Sequence, residues 1–272
     1  IGGTSCPRRH GRSMNFVGIT PELMALFGAG FWHGAIVFLR IGAMTSIMLG
    51  FGEQLIPTQI RLVAGLVFTA IVAPALPQMP IPETVMQYAG LIATEVVVGL
   101  SLGLGLRMFM HMLQTAGSIA AQCTSLSQVL GGAGADPMPA LGAVLWISGI
   151  AVAVMLDFHI HAAQLMIRSY DLFPVGRFPD AAGLSEWGVH RVSATFAQAF
   201  TLAAPFLITA VIYNLTLGVI NRAMTQLMVV FVGAPGYYIR RLVDIDDRCA
   251  MMLEVWGRNL LMFFADPGVG MP

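Results

Sequence analysis

The stretch VMQYAGLIATEVVVGLSLGLGLR, Val85–Arg107, decides the fold. One charged group, Glu95, stands near the middle of a run that after Gln87 and Tyr88 is otherwise apolar or small until Arg107. A run of about 20 such residues is the length an α-helix needs to cross roughly 30 Å of hydrocarbon. The run does not alternate with the period of two that a barrel strand requires, so the helix is the reading that satisfies its backbone. Glu95, Gly99, Gly103 and Arg107 recur every four positions and therefore share one slowly drifting helix face.

The rest of the chain agrees with that stretch. Of 272 residues, 57% are hydrophobic and 10% charged, with a mean hydropathy of +0.77. Soluble domains carry about 25% charged residues, so this chain could not coat a water-exposed surface, and an ordinary soluble enzyme is excluded. Fourteen basic and fourteen acidic residues balance, leaving no net field to draw in nucleic acid or an anionic bilayer. Every basic residue is Arg, which removes Schiff-base and phosphate-loop lysine chemistry. Cys6, Cys123 and Cys249 are odd in number and far apart, so neither a disulfide framework nor a zinc site follows. No cofactor is expected. The composition points to an all-α integral membrane or membrane-associated protein.

Ile1–Ser13 is polar, with Arg8, Arg9, His10 and Arg12 crowded together, and reads as an extension ahead of a natural start at Met14. Residues 14–272 then form one domain. Thr20-Pro21-Glu22 opens a helix over Leu23–Leu49, ended by Gly50-Phe51-Gly52. Further spans are expected after Arg61, over Val85–Leu106 with a helical continuation through Met108–Val129, and over Met138–Leu156. Tyr170–Glu186 reads as a polar connector. Val192–Asn221 is the longest uncharged stretch, with Pro205 set to kink it, and Ala223–Ile239 follows. Cys249–Phe264 is amphipathic around Glu254 and Arg258 and reads as an interfacial or partner-packed helix.

Ionisable groups at membrane depth are costly, so each is a functional hypothesis. Glu95 is either a proton-coupling carboxylate or a buried partner for an arginine or backbone amide on a neighbouring helix. No acidic or histidine relay accompanies it, which favours the partner. Gly99-x-x-x-Gly103 would let another backbone approach closely. Asn214, Gly218, Arg222 and Gln226, reinforced by Asn221, form a second stripe at spacing four, and Gln114, Ser118 and Gln122 a third. Buried polar groups need hydrogen-bond partners, so the stripes suit a polar subunit contact or a water-filled conduit. His159 and His161 are two apart and fall on different helix faces, and His33 and His111 are isolated. Core or interfacial histidines fit better than haem or metal ligands. Gly131-Gly132-Ala133-Gly134 has no lysine and does not match a phosphate loop; it reads as flexible backbone.

Taken in order, several blocks resemble one family. Ile56-Pro57 with Arg61 and Ala73-Pro74-Ala75-Leu76-Pro77 come first, then Thr94-Glu95 with Gly99 and Gly103, leading into Gln114–Gln122. Asp136-Pro137, Ser169-Tyr170-Asp171, Phe173-Pro174-Val175-Gly176 and Ala204-Pro205 follow. Asn214, Leu217-Gly218, Asn221-Arg222, Gln226 and Phe231-x-Gly233-x-Pro235 close the series. This pattern, from about Phe16 to Pro235, resembles the FliR/SctT family of type III secretion export-gate proteins, most closely its flagellar branch. Two positions depart from it. Thr225 stands where the family usually has proline, and Arg240–Phe264 is charged where the family is usually apolar.

The resemblance implies a non-enzymatic subunit in the bacterial inner membrane, within the flagellar basal body. Its kinked helices would pack with FliP-like, FliQ-like and FlhB-like subunits into a hetero-oligomeric helical assembly that passes unfolded flagellar proteins. It also implies a closing loop, which here falls on Ser125–Pro137 and includes Ser125, Ser127, Gln128, Gly131, Gly132, Gly134, Asp136 and Pro137. The competing reading is a secondary transporter coupled through Glu95, against which no inverted repeat is visible.

Overall fold

The computed structural model describes residues 21–52, 56–79, 81–82, 84–124, 140–223 and 249–268. Every regular element among them is helical. The helices are α1 (Pro21–Ile47), α2 (Thr58–Val72, extended by a 3₁₀ turn at Ala73–Ala75), α3 (Val85–Thr124), α4 (Ala140–Met155), α5 (Phe158–Leu172) and α6 (Ala181–Ala223). A further helix, α7, covers residues 249–265. The expected loop Ser125–Pro137, the stretch 224–248 and residues 1–20 lie outside the described residues.

Helix α3 is the axis of the fold. The helical continuation expected beyond Arg107 is present as far as the described residues go: α3 runs unbroken for 40 residues, about 60 Å at 1.5 Å per residue. The glycines in that stretch do not stop it, and several of them are used for packing. An added Cβ at Gly99 would strike the Arg40 carbonyl, and one at Gly103 would lie 2.7 Å from the Met44 carbonyl, so α1 crosses α3 backbone to backbone. Gly117 meets Gly142 in the same way on α4. In membrane helices such small-residue seams replace the hydrophobic drive that water would supply.

The pairings fix the directions. Residue numbers rise together between α1 and α3 (Arg40 with Gly99, Met44 with Gly103), and between α3 and α6 (Gly105 beside Trp187, Met112 and Gln198 on one cleft). They run oppositely between α1 and α2, where Gly65 faces Thr45 and His33 Nε2 lies 2.8 Å from the Ala73 carbonyl. Helix α1 ends where Gly50 adopts φ +83, a left-handed turn that glycine takes without steric cost. Helices α4 and α5 meet at 73°. Asp157, at φ 54, makes that corner, and Asp is one of the few residues besides Gly that visit this region.

Three helical stretches are long and apolar enough to cross a membrane, Thr58–Ala75, Val85–Gln122 and Ala181–Ile212, and the bent α4–α5 pair would make a fourth. The all-helical membrane fold stands.

Two expectations are corrected. The connector is only Phe173–Asp180, because α5 runs to Leu172 and α6 starts at Ala181. The turn-forming Pro and Gly in the middle outweighed the helix-compatible residues at both ends. The amphipathic tail does not wait for a partner or a lipid surface. Its apolar face, Met252, Trp256, Leu260, Phe263 and Phe264, is buried in the chain's own core, and the indole Nε1 of Trp256 donates to the Phe109 carbonyl on α3 at 2.8 Å. Glu254 and Arg258, exposed and 2.9 Å apart, form the opposite face.

Candidate functional site

Three helices bring their polar groups to one point inside the core. Arg40 on α1 is 1% exposed and Glu95 on α3 is 0% exposed. The guanidinium donates to both carboxylate oxygens, from Nε to Oε2 at 2.7 Å and from Nη2 to Oε1 at 3.0 Å. It then reaches the end of α5, where Nη1 donates to the Ser169 carbonyl at 2.9 Å and to Ser169 Oγ at 3.4 Å, and Nη2 to the Phe173 carbonyl at 3.0 Å. All five N–H groups of a guanidinium are thereby used. The ring of Tyr170 covers one face, with its centroid 3.9 Å from the guanidinium carbon.

Each part has a physical reason. The last carbonyls of a helix carry partial negative charge; the Ser169 carbonyl already accepts from the Phe173 amide, and the arginine adds a second donor there and supplies one to the Phe173 carbonyl. A guanidinium in an apolar interior requires a counter-charge, which Glu95 supplies with the planar two-point geometry that suits arginine. Gly99, one turn from Glu95, lets α1 come close enough for the pair to form. The node thus sets where α5 ends and where the connector Phe173–Asp180 begins. That connector overlies a cleft of about 500 Å³ whose lining includes Arg177, Asp180 and Asp266.

The other predicted polar positions do not join this node. Gln114 pairs locally with His111 Nδ1 at 3.2 Å, Ser118 bonds to its own helix at Thr115, and Gln122 is exposed near the end of α3. On α6, Gly218 and Arg222 are exposed, and an added Cβ at Gly218 would meet nothing within 4 Å. Nothing is described of the side chains of Asn214 and Asn221, and Gln226 lies outside the described residues. The loop positions Ser125, Ser127, Gln128, Gly131, Gly132, Gly134, Asp136 and Pro137 lie outside them too.

Sequence reasoning missed Arg40. It lies inside the expected helix Leu23–Leu49, and the rule that flagged Glu95 applies to any ionisable residue inside such a helix. Ser169, Tyr170 and Phe173 stood out in the sequence only as part of a family-like block. A carbonyl acceptor leaves no mark on residue type, so no pattern could have found them as ligands of arginine. Among the described residues no three His, Cys, Asp or Glu side chains gather as a metal site. His161 stacks on Phe264 with centroids 5.4 Å apart.

The model of the bacterial export proteins, family 1, matches residues 31–257. Among curated relatives, the flagellar biosynthetic protein FliR of Caulobacter vibrioides is 33% identical over 237 residues, covering 85% of this chain and 94% of the relative. FliR of Escherichia coli is 24% identical over 72% of this chain and 76% of its own length. FliR of Bacillus subtilis is 25% identical over 74% and 79%. The family match runs from within α1 to within α7 and includes Arg40, Glu95, Ser169 and Phe173 of the node.

Proposed function

The chain belongs to the bacterial export proteins of family 1, and from that membership we propose that it is a structural subunit of the flagellar protein export gate. In this reading it acts without catalysis, in the inner membrane at the flagellar basal body. It joins FliP-like and FliQ-like subunits, with an FlhB-like subunit beside them, around a path for unfolded flagellar proteins. Ser125–Pro137 contributes to the seal of that path.

The observation that carries the reading is the outer half of α6. Ile208, Val211, Ile212, Leu215 and Val219 are all exposed, and Gly218 and the charged Arg222 share this end of the helix. An exposed apolar helix end that carries Gly218 and Arg222 suits a helix of a sister subunit, which could approach at Gly218 and accept hydrogen bonds from Arg222. The 43 residues of α6 measure about 65 Å, roughly twice the hydrocarbon thickness, which suits a tall helical assembly better than a simple hairpin. The Arg40–Glu95 node supports a structural role as well. A transporter's coupling carboxylate must exchange protons with water, whereas Glu95 is sealed and held at two points by Arg40.

The test is recovery of partners. Arg222→Ala should lower co-purification of the FliP-like subunit with the chain at normal expression; unchanged recovery together with altered ion conductance would put the stripe in a channel wall. For the loop, deleting Gln128–Gly134 should leave the complex assembled but make membranes leaky to ions. An assembled deletion complex without a leak would reduce the loop to a connector.

A further inference from the structure

The open face of α3 changes character halfway along the helix. Its other faces are taken: α1 packs at Gly99 and Gly103, α4 at Leu113 and Gly117, and α6 and α7 at Gly105 and Phe109. What remains runs down one side at helical spacing. Met86, Ala93, Leu100 and Leu104 occupy its first half, and Arg107, His111, Gln114, Ser118 and Gln122 its second, all of them exposed or half-buried. The first half is apolar and the second polar. We infer that the second half is a contact for one helix of a sister subunit, and that this helix carries a carboxylate opposite Arg107. The inference rests on the export-gate reading above and adds a second interface to the one on α6.

Charge supplies the first argument. Arg107 is half-buried, yet it donates to no described residue, and neither the Arg40–Glu95 nor the Arg258–Glu254 pair includes it. Taking a guanidinium partly out of water without an anion is costly. The same helix shows the remedy at Glu95, where Arg40 arrives from α1 and closes a two-point pair. Arg107 is the reverse case, a cation on α3 whose anion must come from outside the described chain. Hydrogen bonding agrees. Gln114 Oε1 lies 3.2 Å from His111 Nδ1, and a carbonyl oxygen only accepts, so the Gln114 amide hydrogens remain as donors. Ser118 donates to the Thr115 carbonyl at 2.8 Å. The stripe is therefore rich in donors, with Arg107 and Gln114 two turns apart, about 10 Å along the axis. A matching helix has Asp or Glu at one position and an acceptor such as Asn, Gln, Ser or Thr two turns away.

Length and neighbours select the occupant. From Arg107 to Gln122 the polar half measures about 22 Å, several times the roughly 5–8 Å head-group layer on each side of a bilayer, so lipid head groups do not cover it. Open water fails on the adjoining helix. Helix α4 packs against this same half of α3, at Leu113 and Gly117, and has no charged residue along its length. It leaves Val144, Ile147 and Val154 between 55% and 64% exposed. An apolar surface of that kind needs an apolar cover. A protein helix meets both demands, presenting a carboxylate to the stripe and apolar side chains to what flanks it.

The test uses the full chain co-expressed with its natural partners. Arg107→Glu should lower recovery of one sister subunit at least about tenfold, the effect of one hydrogen-bonded charge, while Arg107→Lys keeps most of it. Purified alone, both variants should melt as wild type does, because Arg107 has no polar partner among the described residues; a lowered melting temperature in Arg107→Glu would make the residue structural and overturn the proposal. Revertants of Arg107→Glu selected for motility should carry Asp or Glu changed to Lys or Arg in a membrane helix of that subunit. Gln114→Cys, combined with Cys6→Ser, Cys123→Ser and Cys249→Ser, should resist a charged thiol reagent in the assembled complex. Rapid labelling there would put the stripe on a water path and overturn the contact. If wild type recovers no sister subunit, the export-gate reading itself fails; if wild type recovers them and Arg107→Glu recovers them equally, only the α3 contact does.

Discussion

Removing Glu95 should be among the most damaging single changes available in this chain. In Glu95→Leu the Arg40 guanidinium stays buried with Nε and one Nη2 hydrogen facing no acceptor, while its bonds to Ser169 and Phe173 persist. Stranding one member of a buried ion pair costs about 3–5 kcal/mol, against a total stability of roughly 5–15 kcal/mol for a folded domain. Glu95→Gln keeps one acceptor but turns an amide N–H toward the guanidinium, so it should fall between wild type and Leu. The double variant Arg40→Met, Glu95→Leu removes both charges. The Ser169 carbonyl still accepts from the Phe173 amide at 2.9 Å, so the chief loss is the donor to the Phe173 carbonyl, about 1–3 kcal/mol. The double variant should therefore be more stable than Glu95→Leu alone. Exchanging the two charges should not rescue, because Glu at position 40 would face the α5 carbonyls. Thermal unfolding of the detergent-purified protein, with accumulation in membranes alongside, measures the series. A double variant at least as unstable as the two singles combined would refute the node as a coupled unit. A stable, assembled Glu95→Gln protein that exports nothing would return the carboxylate to proton coupling.

Other consequences follow from the same packing. Gly99→Val should abolish accumulation, since its side chain would collide with the α1 backbone at Arg40, whereas Gly218→Ala should leave the fold intact and act only on partner recovery; equal stability loss in both would contradict the α1–α3 seam. Asp157→Gly should keep the α4–α5 corner at unchanged or slightly higher melting temperature, and Asp157→Val should cost about 1–2 kcal/mol, because a β-branched residue resists φ 54. Trp256→Ala should lose about 3–5 kcal/mol as a fully buried indole. Trp256→Phe should lose only about 0.5–1.5 kcal/mol with the bond to Phe109. Both are read by thermal unfolding, and an indifferent Trp256→Ala would remove α7 from the core.

The sequence by itself determined the solvent and the elements. Too few charges for a water-facing surface, no alternation of period two, and long apolar runs such as Val85–Leu106, set off at its start by Pro80 and Pro82, leave little besides membrane helices. These properties are local: they depend on what one stretch can satisfy with its own backbone. It also marked Glu95, Gly99 and Gly103 as positions where something must approach, because a buried carboxylate and a glycine ladder each imply a neighbour. Which neighbour was not legible. That the partner is Arg40, 55 residues away, and that the same guanidinium closes α5 on two backbone carbonyls, depends on register between helices, which residue types do not encode one stretch at a time. The tail shows the same limit. Amphipathicity announced that residues 249–264 would bury a face, but only tertiary packing decided that α3 and its own core would be what covered it. Amphipathic patterning specifies that a surface must be covered, and an apolar surface discriminates poorly among lipid, partner and self; geometry makes that choice.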